Sequence, residues 1–311
     1  MKVYLNNVDI TEYISTVNWS GADTQVSRSL DISVASNPYD KQFKSPKIVN
    51  GDIIKFTDDK ETYMGVVTRT QKTTDIGTIT YNTKDFMHYL LRGSYSHKFK
   101  NATAEAITRK VCKDIGVDVG KLAITKIHLA KTICDGVPPY NAIVKAYNKV
   151  SRKYKYYYMP VMEGKKLSVI TKWQDCGVEI NENITSGEYS QDTENMVNQV
   201  VIKDEKGKKI GIVKDNQSIN RYGTYQDEYT KEKGVNAKTA AKNIMQELNE
   251  EIKVESVTGD VRAKAGWMIK VKDKATGITG KYCIVSDTHT WENGIHTMTL
   301  ELRKKREREA L

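Results

Sequence analysis

The feature that most limits the fold of this chain is an internal repeat. The octapeptide GDIIKFTD, residues 51–58, aligns without a gap with GWMIKVKD, residues 266–273. Gly51, Ile54, Lys55 and Asp58 reappear as Gly266, Ile269, Lys270 and Asp273. Each copy is followed by a tyrosine-bearing stretch, TYMGVVT and KYCIVSD. Each then runs into a hairpin whose turn holds glycine, TQKTTDIGTITYN and THTWENGIHTMTL. Strands draw on a small residue alphabet, so four identities in eight positions can arise between unrelated β-meanders. The matching order of the later stretches points instead to the same kind of β-domain at both ends, which changes the architectures to be considered. Two similar barrels in one subunit can imitate two subunits of a ring.

The 311 residues are enough for two or three domains with real cores. Residues 1–98 read as an N-terminal β-domain. KVYLNNVDIT holds two apolar runs around an Asn-Asn turn, SRSLDISVAS puts Leu30, Ile32 and Val34 on one face, and residues 51–83 give three short strands. Such even spacing suits a barrel or sandwich. Residues 99–182 read as a small α+β domain. One helix carries Ala104, Ile107, Val111 and Ile115 at helical spacing, with Asn101 or Thr103 as N-cap and Gly116 as stop. A second opens at the Pro138-Pro139 pair and is lined by Ile143, Val144, Tyr147 and Val150; two strands around a Glu-Gly turn follow. Residues 183–303 return to β-structure, with a hairpin at Lys206-Gly207 and a helix at about 236–251 whose apolar face is Ala237, Ala240, Ala241, Ile244, Met245 and Leu248. Residues 304–311 form a basic C-terminal tail. The fold class is therefore α+β, mainly β.

Net charge is +10, but Lys and Arg are spread along the whole chain, and the dense run RKKRERE contains two glutamates. No helix-turn-helix or zinc-finger signature accompanies the charge, so specific nucleic-acid binding is not expected. No apolar stretch approaches membrane-spanning length. The N-terminus has no secretory signal, so the chain is expected to be made in the cytoplasm. The cysteines at 112, 134, 176 and 283 are too irregularly spaced for a zinc site and are expected as reduced thiols.

IVSDTHTWENGIHTMTLELR, residues 284–303, concentrates two histidines, an aspartate and a tryptophan. Asn293-Gly294 is a strong hairpin turn. A turn there pairs Trp291 with His296, His289 with Met298, Asp287 with Leu300 and Val285 with Leu302, all on one face. Thr288, Thr290, Thr297 and Thr299 form a ladder on the other. A metal would need a third ligand, and only Asp287 is near. The stretch reads as a packing face rather than a site. Cys134 or Cys283 with His88, His97 or His128 could make a thiol hydrolase, but no local pattern supports a pair. No catalytic, cofactor-binding or metal residues are assigned. SINRYGTYQ, residues 218–226, reads as a polar-aromatic loop between a strand and a helix. Arg221 flanked by Tyr222 and Tyr225 has interface-like composition, while a structural corner built on Gly223 explains it equally.

The order ENMVNQVVI, SINRYGTYQ, AKTAAKNIMQELNE, GWMIKVKD and KYCIVSDTHTWENGIHTMTLEL resembles the C-terminal half of baseplate hub proteins of contractile phage tails and phage-tail-like bacteriocins, the PBSX-prophage type. The start, VYLNNVDITEYISTVNWSGADTQVSRSLDISV, resembles the first domain of the same family. The resemblance implies two tail-tube-like β-domains plus the inserted α+β domain, and a homotrimer whose six β-domains form a pseudo-sixfold ring. That ring would join the tail tube, or a tube-initiator protein, to a trimeric central spike. It would also contact baseplate wedge or LysM-type inner-baseplate proteins within the assembled particle. It implies a structural role without cofactor. The alternatives are a peptidoglycan-degrading tail hydrolase and a basic nucleic-acid-binding protein.

Overall fold

The computed structural model describes residues 1–58, 61–74, 77–154, 156–181, 183–232, 235–256 and 258–305; residues 306–311 of the basic tail lie outside these. Met1–Gly187 with Lys253–Lys305 form one compact unit, and Glu188–Ile252 form a second.

In the first unit, β1 (Lys2–Leu5) and β2 (Val8–Asp9) meet at Asn6 and Asn7, both at positive φ, the conformation a tight mirror-image turn demands. Next come β3 (Ile14–Ala22), β4 (Ser29–Ser36), β5 (Ile53–Asp58), β6 (Glu61–Gln71) and β7 (Gly77–Asp85). Leu30, Ile32 and Val34 point inward from β4 and pack with Val17, Trp19 and Phe56.

The α+β part follows: α1 (Met87–Leu90), β8 (Tyr95–Ala102), α2 (Ala104–Ile115), β9 (Asp118–Leu122), β10 (Leu129–Val137), α3 (Pro139–Tyr154), β11 (Tyr158–Glu163) and β12 (Lys166–Thr171). Thr103 caps α2 by accepting the Ala106 N–H, and Gly116 at φ 72° ends it. Ile107 and Val111 of α2 pack with Ile143, Tyr147 and Val150 of α3 in one core. The chain continues through β13 (Gln174–Ile180) and β14 (Ile184–Asp192).

The second unit contains β15 (Gln199–Lys203), β16 (Lys209–Lys214), α4 (Asn216–Tyr222), β17 (Gln226–Thr230) and α5 (Ala237–Ile244). Its sheet has the order β16-β15-β17, and α5 packs on it through Ala241 against Val200 and Ile202. Finally come β18 (Asn249–Ser256), β19 (Trp267–Lys272), β20 (Thr279–Glu292) and β21 (Ile295–Arg303).

Thirteen strands join one curled sheet. Its path runs β14-β18-β21-β20-β3-β4-β7-β6-β5-β1-β2, with β19 branching from β20 and β13 from β19. The repeat is visible in this order. Strands β3-β4-β7-β6-β5 and β14-β18-β21-β20-β19 have the same spatial sequence, each ending in a Greek-key return. The details match as well. Gly51 and Gly266 sit at φ 100° and 90°, and each donates its N–H to the following long strand, to Val67 O at 2.8 Å and Ile284 O at 3.0 Å. In both copies a β-bulge comes at that acceptor, between Val67 and Arg69 and between Ile284 and Ser286. Ile54 and Ile269 are both fully buried. In chain order the second unit is inserted between β14 and β18, the counterparts of β3 and β4.

Three expectations need correction. The helix read at 236–251 is only α5, eight residues, and residues 249–256 are strand. Glu247, Glu250 and Glu251 would crowd negative charge at a helix C-terminus, which the macrodipole disfavours. As a strand, the same segment buries Ile252 and Val254 on one face. The bulge after Ile284 pairs Leu302 with Ile284, not Val285. Residues 218–226 are not a plain loop: α4 occupies most of them and lies between two strands, with Asp215 accepting the Gln217 and Ser218 N–H groups as its cap.

Candidate functional site

The hairpin β20–β21 pairs Trp291 with His296, His289 with Met298 and Asp287 with Leu300, and its opposite face pairs Thr288 with Thr299 and Thr290 with Thr297. On the inward face His289 is fully buried. Its Nε2 lies 3.0 Å from Ala263 O, and a carbonyl only accepts, so the proton sits on Nε2. Nδ1 then accepts from His296 Nε2, also at 3.0 Å. One proton per ring satisfies both contacts. Burial lowers the His289 pKa, and burial together with the neighbouring His289 lowers that of His296 to about 4. The His296 ring stacks on Trp291 at 4.0 Å, and the Trp291 indole donates to Asp58 at 3.0 Å.

Asp287, with a fully buried side chain, is forked to Arg28 through both terminal guanidinium nitrogens and also accepts the Ala265 N–H at 2.7 Å. Arg28 lies over the Trp19 ring at 4.1 Å. These side chains bind copy one to copy two along the β3–β20 pairing, Thr16–Ala22 against Ser286–Glu292. The cluster is a structural seam. Among the described residues no group of three or more His, Cys, Asp or Glu side chains is placed to hold a metal.

The 218–226 corner is built on Asn198. Its side chain donates to Gly223 O and Ser218 Oγ and accepts the Tyr225 N–H, while the Tyr225 hydroxyl donates to Thr193 Oγ1 at 3.0 Å. Gly223 at φ 85° ends α4. Tyr225 is thus part of the frame. Arg221, exposed, lies 5.2 Å from the ring of half-buried Tyr222. Of the thiol candidates, Cys134 faces His97 across β8–β10, but burial raises its pKa and favours the unreactive thiol.

Two of the strand edges left open among the described residues bear on the repeat. β14 ends the sheet path and has no described neighbour on its outer side. On β6, the side that carries β5 is uncovered past the bulge, where Arg69 and Gln71 are exposed. The equivalent side of β20 past its own bulge is the one paired with β3.

The profile of YQBQ-like proteins matches residues 17–303. The chain belongs to the YQBQ-like family. Phage-like element PBSX protein XkdQ of Bacillus subtilis (strain 168) is 24% identical over 305 residues, covering 93% of this chain and 92% of XkdQ. The 43 kDa tail protein of prophage MuSo2 from Shewanella oneidensis superposes with a TM-score of 0.71 at 14% identity, over 97% of this chain and 98% of that one. An E. coli component of the type VI secretion system, described as similar to the T4 tail proteins gp27 and gp5, gives 0.57 at 12% identity, over 99% and 78%. In sequence the chain is related to a PBSX phage-like-element protein, and in fold it is like phage tail proteins. The features of the family fold that sequence reasoning missed are the Arg28–Asp287 fork, 259 positions apart in the chain, the Asn198 hub and the open edges. None carries a local signal, because each depends on which distant strands become neighbours.

Proposed function

We propose that this chain is a non-catalytic hub subunit of a contractile-tail baseplate. Three copies form a pseudo-sixfold ring that seats the tail tube, or its initiator, on one side and a trimeric spike on the other. Baseplate wedge or LysM-type proteins contact its outer parts, Arg221 and Tyr222 among the contacting residues. The observation that carries this reading is the duplicated five-strand order together with its one satisfied junction. Inside the chain, copy two lends the outer stretch of β20 to β3 of copy one. The equivalent junction needs β6 of copy one and β14 of copy two, and both edges are free among the described residues. A neighbouring subunit repeating the same step fills both, and three such steps close a ring.

The test is disulfide cross-linking in purified tail particles. Thr70→Cys is combined in turn with Ser186→Cys, Glu188→Cys and Ser190→Cys, because the inter-subunit register is the unknown. One pair is expected to yield covalent trimers under oxidation, with neither single variant doing so. Absence of the protein from the particles, or no trimer with any pair, overturns the reading.

A further inference from the structure

The second unit carries another open edge, on β16, the strand that leads into α4. Among the described residues β16 pairs only with β15. Its two isoleucines, Ile210 and Ile212, are 49% and 36% exposed, unusual for an edge strand. A bulge pairs Ile202 with Gly211 and Lys203 with Lys209, which leaves Ile210 without a partner on β15. Behind that bulge lies a groove of about 350 Å³. Its apolar wall is Ile202, Ile210, Val235 and Ala237, and Lys231 and Lys238 stand on its rim. Lys208 and Lys209 lead into the strand and Lys206 lies in the preceding turn; all five lysines are exposed. None has a carboxylate within 4.0 Å among the described residues, whereas Lys203 on the neighbouring strand is paired with Glu228. The acids nearby are Asp204, whose carboxylate is engaged by the Lys206 and Lys208 N–H groups, and exposed Glu205 and Glu232.

We propose that β16 and this groove receive an extended acidic segment of a partner protein, which adds to the sheet as a strand and seats one aliphatic side chain beside Ile210. The open row of backbone N–H and C=O groups selects a peptide, since a phosphodiester chain cannot continue the ladder. The unpaired lysines select carboxylates, because opposite charges across neighbouring strands are favourable. The groove selects an aliphatic anchor within that segment. This proposal stands whether or not the chain is a hub.

The probe is an acetylated, fluorescein-labelled ten-residue peptide alternating Glu or Asp with Val or Ile, added to the full-length protein. Two controls replace the acids by their amides or the aliphatics by serine. The acidic–aliphatic peptide is expected to raise fluorescence anisotropy and to slow amide hydrogen exchange within Lys209–Lys214. Both controls, Lys231→Ala/Lys238→Ala and Ile210→Ser are each expected to weaken binding at least tenfold. Equal binding of the serine control, unchanged exchange in β16, or no binding at millimolar peptide overturns the proposal. So does a Lys208→Ala/Lys209→Ala variant that binds the peptide as before but self-associates in sedimentation, because the lysines then only guard the edge. Self-association of the native chain that Ile210→Ser abolishes assigns the edge to a second copy instead, and also overturns it.

Discussion

At the scale of single residues, the seam between the two β-copies is held by charges that have no substitute. Removing one partner of a buried ion pair strands the other. Asp287→Ala leaves Arg28 and the Ala265 N–H without their acceptor and is expected to cost about 3–5 kcal/mol in urea unfolding. Arg28→Met with Asp287→Leu is expected to cost clearly less, since no charge is then left unpaired. The histidine pair sets a pH dependence of defined sign. His289 and His296 are both lowered from 6.5 in the folded chain, His296 to about 4. The unfolded chain therefore takes up protons first as pH falls. Their contribution is complete above about pH 6.5 and declines toward pH 4, by on the order of 3 kcal/mol for His296. The charged groups facing the pair are Asp58, Asp260, Asp287, Arg28, Lys264 and the Met1 ammonium, itself paired with Asp58. Urea midpoints measured from pH 7.5 to 4 check this, and His296→Gln is expected to flatten the slope.

At the scale of elements, the two equivalent glycines offer a matched experiment. A Cβ at Gly51 meets nothing within 4 Å, so Gly51→Ala carries only the backbone penalty of positive φ, about 1 kcal/mol. At Gly266 the same Cβ also lies 2.4 Å from Met159 Cε, so Gly266→Ala is expected to cost more by thermal unfolding. Equal costs would mean that Met159 moves aside freely. Legibility in the sequence also differs from element to element. Helix α2 is readable end to end, because its cap, apolar spacing and stop are all local. Helix α5 reads too long: Leu248 continues the apolar stripe, and only pairing at a distant sheet edge decides that residues 249–256 become strand. The β20–β21 register is readable from Asn293-Gly294 up to the bulge. The bulge itself is not, since an extra residue leaves the alternation looking intact.

At the scale of the molecule, copy two is copy one with an excursion in its first hairpin. Thr193–Leu248 should therefore be replaceable by a short polar turn with the sequence of residues 23–28. The remaining chain is expected to keep a cooperative thermal transition within a few degrees of the parent, followed by circular dichroism. A molten or aggregated product would show that β14 and β18 need the second unit in order to pair. The separateness of that unit is not legible in the sequence, because its strands use the same alphabet as the strands on either side.

The sequence by itself determined the mainly β class, the α+β segment between two β-regions, the turn chemistry and the duplication. These rest on spacing along the chain, and spacing is local. Tertiary structure alone decided that the two copies share one sheet through β3 and β20, that Asp287 meets Arg28, and that β6, β14 and β16 are left with open edges among the described residues. Those outcomes depend on which backbone ladder closes against which. Hydrogen bonding between strands is indifferent to side-chain identity, so no residue pattern announces it in advance.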